Sequence, residues 1–545
     1  MRELEHLKAL RHLYVHGLEN VNAREATLAK LGEKKNLIML SLTWLSGQLE
    51  ADAEERVLNN LEPHMNLVEL NIEGYNGMRS PCWMEIPMLT NLTYISLSCC
   101  NNWQHLPPLG RLRSLKYLYL QDMKAVKRIE DSFYGHEGVF AFPSLKLLLL
   151  KRLPSLEEWV EAEGMIMFPR LVELCIGQCR ALRKIPALPP SLAYLEIHDV
   201  GLSTLPATYH SSEPTVPQKP LRSRLQIVWC SNLVTLGQEY CFLCLEELDI
   251  QYCENLLHLP MDRLQAPSLL KKLTVVGCPK LMAPQADISL PSSIREFYVD
   301  PCGAYETCLL TSLRSLTSLT TLCLANCVMT ALPSADIFRS LAAVQHLTIV
   351  RCNELASLGG IEELASLTEL AVCACDKLLG IRPQEMFQAS DPNQITVVYH
   401  SHLGRLQKLT ISDPYVLQLE PLRIVNSVGC LNITSSFRCL PDEWLMQNCN
   451  HLKRLGVHDA SRLEFLPSIM ARLTSLETLE FKRAILIQSL PELPASLRVL
   501  HFLGCHPVLK QRCRKRRGHD WHKIAHIPVV RIEQDSPSSW TWHSY

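Results

Sequence analysis

Residues 106–120 read LPPLGRLRSLKYLYL, and the leucine spacing within this stretch decides the fold. Leu115, Leu118 and Leu120 are separated by three and then two positions, a spacing that suits a short strand with one buried face. The two prolines ahead of them prevent a long helix from running through the segment, and the stretch is too short to cross a membrane. It therefore predicts one short buried strand that follows a proline-containing turn.

The same spacing, with apolar residues at a first position and again three and five positions later, recurs along nearly the whole chain. Clear copies are Leu92/Ile95/Leu97, Leu115/Leu118/Leu120, Leu171/Leu174/Ile176, Leu245/Leu248/Ile250, Leu270/Leu273/Val275, Leu319/Leu322/Leu324, Val344/Leu347/Ile349, Leu367/Leu370/Val372, Leu406/Leu409/Ile411, Leu452/Leu455/Val457, Leu476/Leu479/Phe481 and Leu497/Leu500/Phe502. Weaker copies lie near Leu10, Leu37, Leu67, Leu145, Leu192, Arg222, Ile294 and Val428. Most steps are 21 to 26 residues long. A period of this length over about twenty copies indicates a repeat protein.

The pattern predicts an α/β repeat fold, a leucine-rich-repeat solenoid shaped as a curved horseshoe. Each copy contributes one strand to a parallel sheet on the concave face, with about 4.7 to 4.9 Å between strands. The convex segments should be irregular or short-helical because they contain proline after an apolar residue. These pairs are Leu106-Pro107, Ile185-Pro186, Leu205-Pro206, Leu259-Pro260, Leu332-Pro333 and Leu466-Pro467.

The repeats predict one long solenoid over residues 1–510, a C-terminal cap over 511–532 and a flexible tail over 533–545. A net charge of −1 gives no general attraction to nucleic acid or to an acidic membrane. No apolar run approaches the length of a membrane span, and the start MRELEHLKALRHL lacks the apolar stretch of a signal peptide. We therefore expect a cytoplasmic protein, with the nucleus as a second possible compartment.

The 22 cysteines would suggest disulfides in a secreted protein, but their positions follow the repeat. Ten of them lie eight residues after the first position of their copy, where the chain turns out of its strand: Cys100, Cys179, Cys230, Cys253, Cys278, Cys302, Cys327, Cys352, Cys375 and Cys505. A small side chain with a donor at this turn can satisfy backbone carbonyls that the strand leaves unpaired. We expect these thiols to be free and structural.

Several longer stretches resemble the repeat region of plant nucleotide-binding leucine-rich-repeat (NLR) disease-resistance receptors, particularly the coiled-coil type. They are residues 10–44, residues 54–77 (EERVLNNLEPHMNLVELNIEGYNG), residues 142–159 (FPSLKLLLLKRLPSLEEW) and the ending over 504–532. The resemblance implies a curved sensor that recognises a pathogen effector or a guarded host protein. It also implies contact with the receptor's own nucleotide-binding domain, whose switch the repeats would hold in check.

The sequence departs from that family in one respect, because it contains no phosphate-binding loop. Such a loop needs the pattern G-x-x-x-x-G-K-[ST], and the sequence has no Gly-Lys pair. We therefore expect no nucleotide and no other cofactor to bind this chain. The chain could be the C-terminal part of a longer receptor, a truncated product or a repeat-only protein.

Other chemical motifs are weaker than their structural explanations. Cysteines and histidines cluster at Cys505, His506, Cys513, His519, His522 and His526, but the cysteine spacing is too wide for a zinc site, and a terminal cap explains them better. The basic run KQRCRKRR (510–517) is interpreted as a solvated edge of that cap rather than a targeting signal. The acidic stretches 49–56 and 156–164 are interpreted as solvated loops, with contact to a missing domain as the alternative. No nucleophile motif is present, so we expect no enzymatic activity.

Two functions remain for such a chain, an immune-receptor recognition module and a substrate-recruiting adaptor of a ubiquitin ligase or similar scaffold. Residues two and four positions after the first leucine alternate with the core and should point out of the concave sheet. The candidate protein-binding residues on this face are Tyr94, Tyr117, Tyr119, Tyr194, Trp229, Tyr252 and Tyr298, with Lys453, Arg454, Lys482 and Arg483 as a later basic group. We expect no specific nucleic-acid partner.

Overall fold

The structure is a computed structural model. It describes residues 1–45, 50–85, 88–135, 139–207, 223–237, 245–260, 269–282, 289–303, 305–380 and 403–533. Contacts divide the chain into two compact units, Met1–Pro284 and Gln285–Tyr545.

The first unit is built on a parallel sheet whose strands are neighbours in chain order. Its described strands are β1 (His12–His16), β2 (Met39–Thr43), β3 (Glu69–Glu73), β4 (Tyr94–Ser98), β5 (Tyr117–Gln121), β6 (Arg128–Ile129), β7 (Phe140–Ala141), β8 (Leu147–Lys151), β9 (Glu158–Trp159), β10 (Ile166–Met167), β11 (Glu173–Cys179), β12 (Tyr194–Val200), β13 (Ser223–Val228), β14 (Leu245–Gln251) and β15 (Lys272–Val276). All but β6, β7, β9 and β10 belong to this sheet. The short strands pair separately, β6 with β9 and β7 with β10.

The second unit repeats the same parallel arrangement. Its described strands are β16 (Glu296–Val299), β17 (Thr321–Ala325), β18 (His346–Val350), β19 (Glu369–Cys373), β20 (Lys408–Ile411), β21 (Cys430–Ile433), β22 (Arg454–Val457), β23 (Thr478–Lys482), β24 (Val499–Leu503) and β25 (Val529–Glu533). Each strand pairs in parallel with the next along the chain.

The strand register aligns the leucines of neighbouring repeats into a continuous core. Ile95 lies opposite Leu118, and Leu118 lies opposite Leu148. Every residue of the twelve clear copies predicted from the sequence is at most 2% exposed. The leucines ahead of the convex prolines, such as Leu106 and Leu205, are buried as well. The predicted leucine-rich-repeat fold with its parallel sheet is therefore confirmed.

Many strands end in a turn that contains a left-handed residue, and in several repeats the next residue is a cysteine. Trp229 has φ 60°, and the thiol of the next residue, Cys230, donates to the carbonyl of Val228 at 3.5 Å. The same contact to the carbonyl two residues earlier is made by Cys100, Cys179, Cys253, Cys278, Cys302, Cys327, Cys352 and Cys375. Within the described ranges, the thiols of the turn cysteines Cys100, Cys179, Cys230, Cys253, Cys278, Cys327, Cys352 and Cys375 are free, as the repeat-locked spacing predicts.

The segments that connect the strands contain short helices and extended pieces. The α-helices are Ala23–Leu28, Ala51–Asn59, Cys82–Glu85, Asp131–Tyr134, Tyr305–Ser312, Ala335–Ser340, Asp376–Gly380, Asp442–Gln447, Pro507–Arg512 and Trp521–Ile524. The 3₁₀ turns are Arg2–His6, Leu18–Asn20, Leu31–Glu33, Leu109–Arg111, Leu313–Ser315, Ile361–Glu363, Pro414–Gln418, Leu422–Ile424 and Ser468–Arg472. Within the described ranges no helix is longer than the nine residues of Ala51–Asn59, which agrees with the expectation of short convex helices.

The acidic stretch at 49–56 is not the solvated loop that its charge suggested. Residues from Ala51 onward form a helix, and the Glu54 side chain is fully buried. Glu54 Oε2 accepts the N–H of Asn76 at 2.7 Å, and burial raises the pKa of the Glu54 carboxyl. The second acidic stretch, 156–164, keeps its glutamates at 157, 161 and 163 exposed while Trp159 packs inward.

The C-terminal residues fold back over the last repeats around one buried carboxylate. Asp520 is fully buried and accepts hydrogen bonds from Arg512 Nε at 2.7 Å and Arg512 Nη2 at 3.0 Å. Its Oδ2 also accepts the N–H of Leu490 at 3.3 Å, and Lys523 Nζ lies 3.3 Å from Oδ1. β25 then adds a strand beside β24. This strand includes Glu533, the first residue of the predicted tail, while 534–545 lie outside the described residues.

Candidate protein-interaction surface

The candidate surface is the face of the sheet that points away from the core. Burial alternates along most of the strands, as in β4, where Ile95 and Leu97 are buried and Tyr94, Ser96 and Ser98 are partly exposed. The parallel register stacks the outward residues of successive strands into columns. All eleven predicted binding residues are at least partly exposed, so their side chains are available to a partner. Whether they bind one remains a prediction.

Three of the predicted tyrosines form one group on the first unit. Tyr94 lies opposite Tyr117 in the register, and the ring of Tyr94 packs against that of Tyr119 with centroids 5.2 Å apart. Leu147 and Leu149 of β8 continue the two columns beside these tyrosines, and both are partly exposed. We call these five residues the tyrosine patch. It is an exposed apolar area on a sheet whose outward residues are otherwise mostly polar.

Tyr194 belongs to a polar network further along the same sheet. Its hydroxyl lies 3.1 Å from Glu196 Oε2 and 2.9 Å from Gln226 Oε1, so the two oxygens share one donor. Gln226 Nε2 in turn donates to Asp249 Oδ2 at 3.3 Å. Burial and the neighbouring Glu196 carboxylate raise the pKa of the Tyr194 hydroxyl. The network fixes these side chains across three strands, β12, β13 and β14.

Trp229 and Tyr252 form a stacked aromatic pair at the ends of β13 and β14. Their ring centroids are 4.4 Å apart at an interplanar angle of 18°, and the residues are 52% and 39% exposed. Gly277 follows at the same position of the next repeat, where a Cβ atom would lie 2.6 Å from Tyr252 Cδ1. The absence of a side chain at Gly277 therefore leaves room for the Tyr252 ring.

The other predicted residues lie on the second unit. Tyr298 faces outward from β16 with its hydroxyl 3.4 Å from Glu296 Oε2. The later basic group is partly neutralised, because Arg454 and Lys482 lie 3.2 Å and 3.8 Å from carboxylate oxygens of Glu480. Arg483 pairs with Asp459 at 3.3 Å. Lys453 is exposed beside this group.

The sequence reasoning missed the leucines and the acidic residues that accompany the predicted aromatics. Leu147 and Leu149 lie two and four positions after Leu145, so the column count that selected the tyrosines could have found them. Glu196 and Asp249 lie four positions after the first residue of their repeats, in the column that also contains Leu149. The Tyr194–Glu196 contact lies within one strand and the Gln226–Asp249 contact joins neighbouring strands. Both depend on side-chain positions that no spacing in the sequence encodes.

Metal and membrane chemistry find no support in the part of the chain that the structure describes. There, no three metal-ligating side chains converge, and no helix is both long and apolar enough to cross a bilayer. The C-terminal histidines make individual contacts instead. His506 Nδ1 accepts the N–H of Val508 at 3.1 Å, and His526 Nε2 lies 3.1 Å from the carbonyl oxygen of Pro494.

Comparison with known proteins shows that these repeats are similar to parts of plant disease-resistance proteins. A family model described as R13L1/DRL21 LRRs matches residues 1–123. The disease-resistance RPP13-like protein 1 of Arabidopsis thaliana is 28% identical over 296 residues, which is 50% of this chain and 28% of that protein. Disease resistance protein RGA2 of Solanum bulbocastanum is 34% identical over 185 residues, which is 32% of this chain and 19% of that protein. The chain thus spans less than a third of the length of either relative.

Among solved structures, an LRR protein of Leptospira interrogans aligns with a TM-score of 0.34 at 16% identity, covering 97% of this chain and 98% of that chain. The fold assignment rests on the strand register and the buried leucine triplets. These features define a leucine-rich-repeat protein. In sequence, these repeats are similar to parts of plant disease-resistance proteins, and residues 1–123 match the family model described as R13L1/DRL21 LRRs.

Proposed function

We propose that this chain is a non-enzymatic protein-recognition module, the sensor and autoinhibitory repeat region of an intracellular plant immune receptor. Its partner would be a pathogen effector or a guarded host protein, and it would act in the cytoplasm or the nucleus. If the chain is part of a longer receptor, the receptor's own nucleotide-binding domain would be a second partner. The resistance-protein relatives support the class of function.

The observation that carries the proposal is the tyrosine patch on the outward face of the sheet. Buried tyrosine and tryptophan dominate the energetics of many protein interfaces, because each covers a large area at a low cost in side-chain entropy. Tyr117 is 39% exposed and pairs in register with Tyr94 and Leu147. An apolar group on an open sheet face suits a protein partner better than a small molecule, which needs an enclosed pocket.

The test removes the patch without touching the core. The chain and a Tyr117→Ala/Tyr119→Ala variant would be expressed in leaf tissue as proximity-labelling fusions, with and without pathogen challenge. Phe465→Ala is the matched control, because Phe465 is 60% exposed and lies far along the sequence in the second unit. We expect partners labelled by the wild type and by the control to be lost from the tyrosine variant. Identical partner sets for all three proteins, with equal thermal melts, would contradict the proposal.

A further inference from the structure

The outward face of β11–β15 carries a charge pattern that points to the chemistry of a partner. This inference rests on the proposed recognition function and specifies what the partner presents. One column contains Glu173, Tyr194, Arg224, Glu247 and Lys272, and the next contains Cys175, Glu196, Gln226, Asp249 and Thr274. We call these two columns the acidic face. All of it lies within the first unit.

Carboxylates outnumber cations on the acidic face. Four carboxylates, at positions 173, 196, 247 and 249, stand against the two cations Arg224 and Lys272. Arg224 is committed to Glu247, with Arg224 Nε 3.1 Å from Glu247 Oε1. Glu196 and Asp249 accept hydrogen bonds from neutral donors, the Tyr194 hydroxyl and the side-chain amide of Gln226. The face therefore keeps a net negative charge.

The raised pKa of the Cys175 thiol, which belongs to the acidic face, agrees with this negative charge. Burial, and then the carboxylate of Glu196, raise the pKa of Cys175 to about 12. The thiol therefore stays neutral at physiological pH.

The shape of the face suits an extended segment rather than a compact ligand. Residues of both columns, among them Tyr194, Arg224 and Asp249, line a shallow open groove of about 600 Å³. The exposed Trp229–Tyr252 stack stands past the C-terminal ends of β13 and β14, three residues after Gln226 and Asp249 on the same strands. Asp199 occupies the position equivalent to Trp229 in the preceding repeat and already holds the Arg180 guanidinium, with Arg180 Nε 2.9 Å and 2.8 Å from its two oxygens. The turn position that Asp199 shares with Trp229 therefore already binds a guanidinium of this chain, that of Arg180.

We propose that the acidic face docks an extended segment of a partner protein that carries arginine and lysine side chains. A guanidinium would stack on the exposed ring of Trp229, because indole is the strongest cation–π partner and guanidinium is weakly hydrated. Further cations would pair with Glu196 and Asp249 through charge-assisted hydrogen bonds. An acidic segment would meet like charge, which disfavours it at this face.

The test measures binding of short fluorescein-labelled peptides to the full chain by fluorescence anisotropy. Four probes alternate glycine with arginine, lysine, serine or glutamate. We expect the arginine peptide to bind best, lysine next, and serine and glutamate at least about fivefold more weakly. Raising the salt from about 50 mM to about 300 mM should weaken the arginine complex, because the pairs are exposed to solvent.

Two variants and two controls assign that binding to the acidic face. Trp229→Ala should remove the preference for arginine over lysine, and Glu196→Gln/Asp249→Asn should weaken both cationic peptides at least about fivefold. Phe465→Ala and Glu464→Gln remove one exposed aromatic ring and one exposed carboxylate from the second unit and should change nothing. Thermal melts of all variants should match the wild type.

Equal binding of the neutral, acidic and cationic peptides would overturn the inference, as would equal losses in the variants and the controls. Either result would leave the proposed recognition function standing if the Tyr117→Ala/Tyr119→Ala variant still lost its cellular partners. Conversely, cationic-peptide binding that survives the tyrosine substitutions, together with unchanged cellular partners, would support the acidic face and count against the role of the tyrosine patch.

Discussion

At the scale of single residues, the buried leucine triplets make the register testable. Leu248 and Leu322 are both fully buried, so replacing either with Asp places an unpaired carboxylate in an apolar core. The free energy of unfolding should fall by more than the roughly 1.5 to 3 kcal/mol that burying one leucine contributes. The measurement is denaturant unfolding of each variant against the wild type.

Leu486→Asp is the matched control, because Leu486 is 42% exposed and should tolerate a carboxylate at a cost of less than about 1 kcal/mol. If the two buried variants unfold at the same denaturant concentration as this control, the register is wrong.

The burial of the turn cysteines predicts which thiols react with a labelling reagent. Cys82 and Cys439 are exposed, whereas Cys179 and Cys278 are buried, and burial raises the pKa of each of the latter two to about 11. Because the thiolate is the reactive form, a maleimide at neutral pH should label Cys82 and Cys439 in the native protein. The maleimide should label the buried turn cysteines only after denaturation. Peptide mass spectrometry would identify the labelled cysteines in the native and the denatured samples.

The same denatured sample, kept without reductant, should show the turn cysteines as free thiols. Defined disulfides among them would contradict the intracellular function proposed above, because disulfides persist mainly in oxidising compartments.

At the scale of elements, the strands and the shortness of the connecting helices were predictable, but the position of an individual helix was not. A triplet such as Leu115, Leu118 and Leu120 carries its strand in its own spacing, because buried and outward residues must alternate. The helix at Ala51–Asn59 was missed because its charges suggested solvent, whereas Glu54 is buried by a contact with Asn76 that no local pattern encodes. Among the site residues, outward direction followed from strand position, but the stack of Trp229 on Tyr252 required the three-dimensional register.

The cap around Asp520 predicts a pH-dependent stability. Burial alone would raise the pKa of Asp520, but hydrogen bonds from Arg512, from the Leu490 N–H and from Lys523 lower it well below its ordinary value. A carboxylate whose folded pKa is depressed stabilises the folded state above its unfolded pKa of about 3.9. That stability is lost as the pH falls below about 4.

Asp520→Asn should therefore destabilise the protein at pH 7 by about 2 to 3 kcal/mol, because it leaves a partly buried Arg512 without its carboxylate partner. The difference between the variant and the wild type should shrink as the pH falls from about 4 toward about 2. Thermal unfolding across this range measures it. Asp442→Asn, at an exposed position, serves as control. A pH-independent difference would show that the charge of Asp520 is not what stabilises the cap.

At the scale of the whole molecule, a repeat array needs its ends covered because each repeat contacts only its neighbours. β25 covers the edge of β24, and Leu509 and Ile524 of the C-terminal helices are fully buried. A chain ending at Gly504 should lose several kcal/mol, since each buried apolar side chain contributes about 1.5 to 3 kcal/mol. It should also self-associate through the exposed strand edge.

Light scattering coupled to size exclusion, together with thermal melts, would compare this truncation with a chain ending at Glu533. The chain that ends at Glu533 keeps β25 and should behave as the full chain does. If the chain ending at Gly504 melts and elutes in the same way, the C-terminal segment does not cap the array.

The parallel register also bears on how such a surface changes over generations. Thr321 pairs with His346 one repeat later, as Glu296 pairs with Thr321. Deleting the 25 residues between equivalent positions, 321 to 345, would bring His346 opposite Glu296 and recreate the same kind of stacking interface. Unequal crossing-over between the corresponding stretches of coding DNA can therefore add or remove one unit of outward side chains at a time. A lineage could in this way lengthen, shorten or reshuffle the face presented to a partner without redesigning the hydrophobic interior.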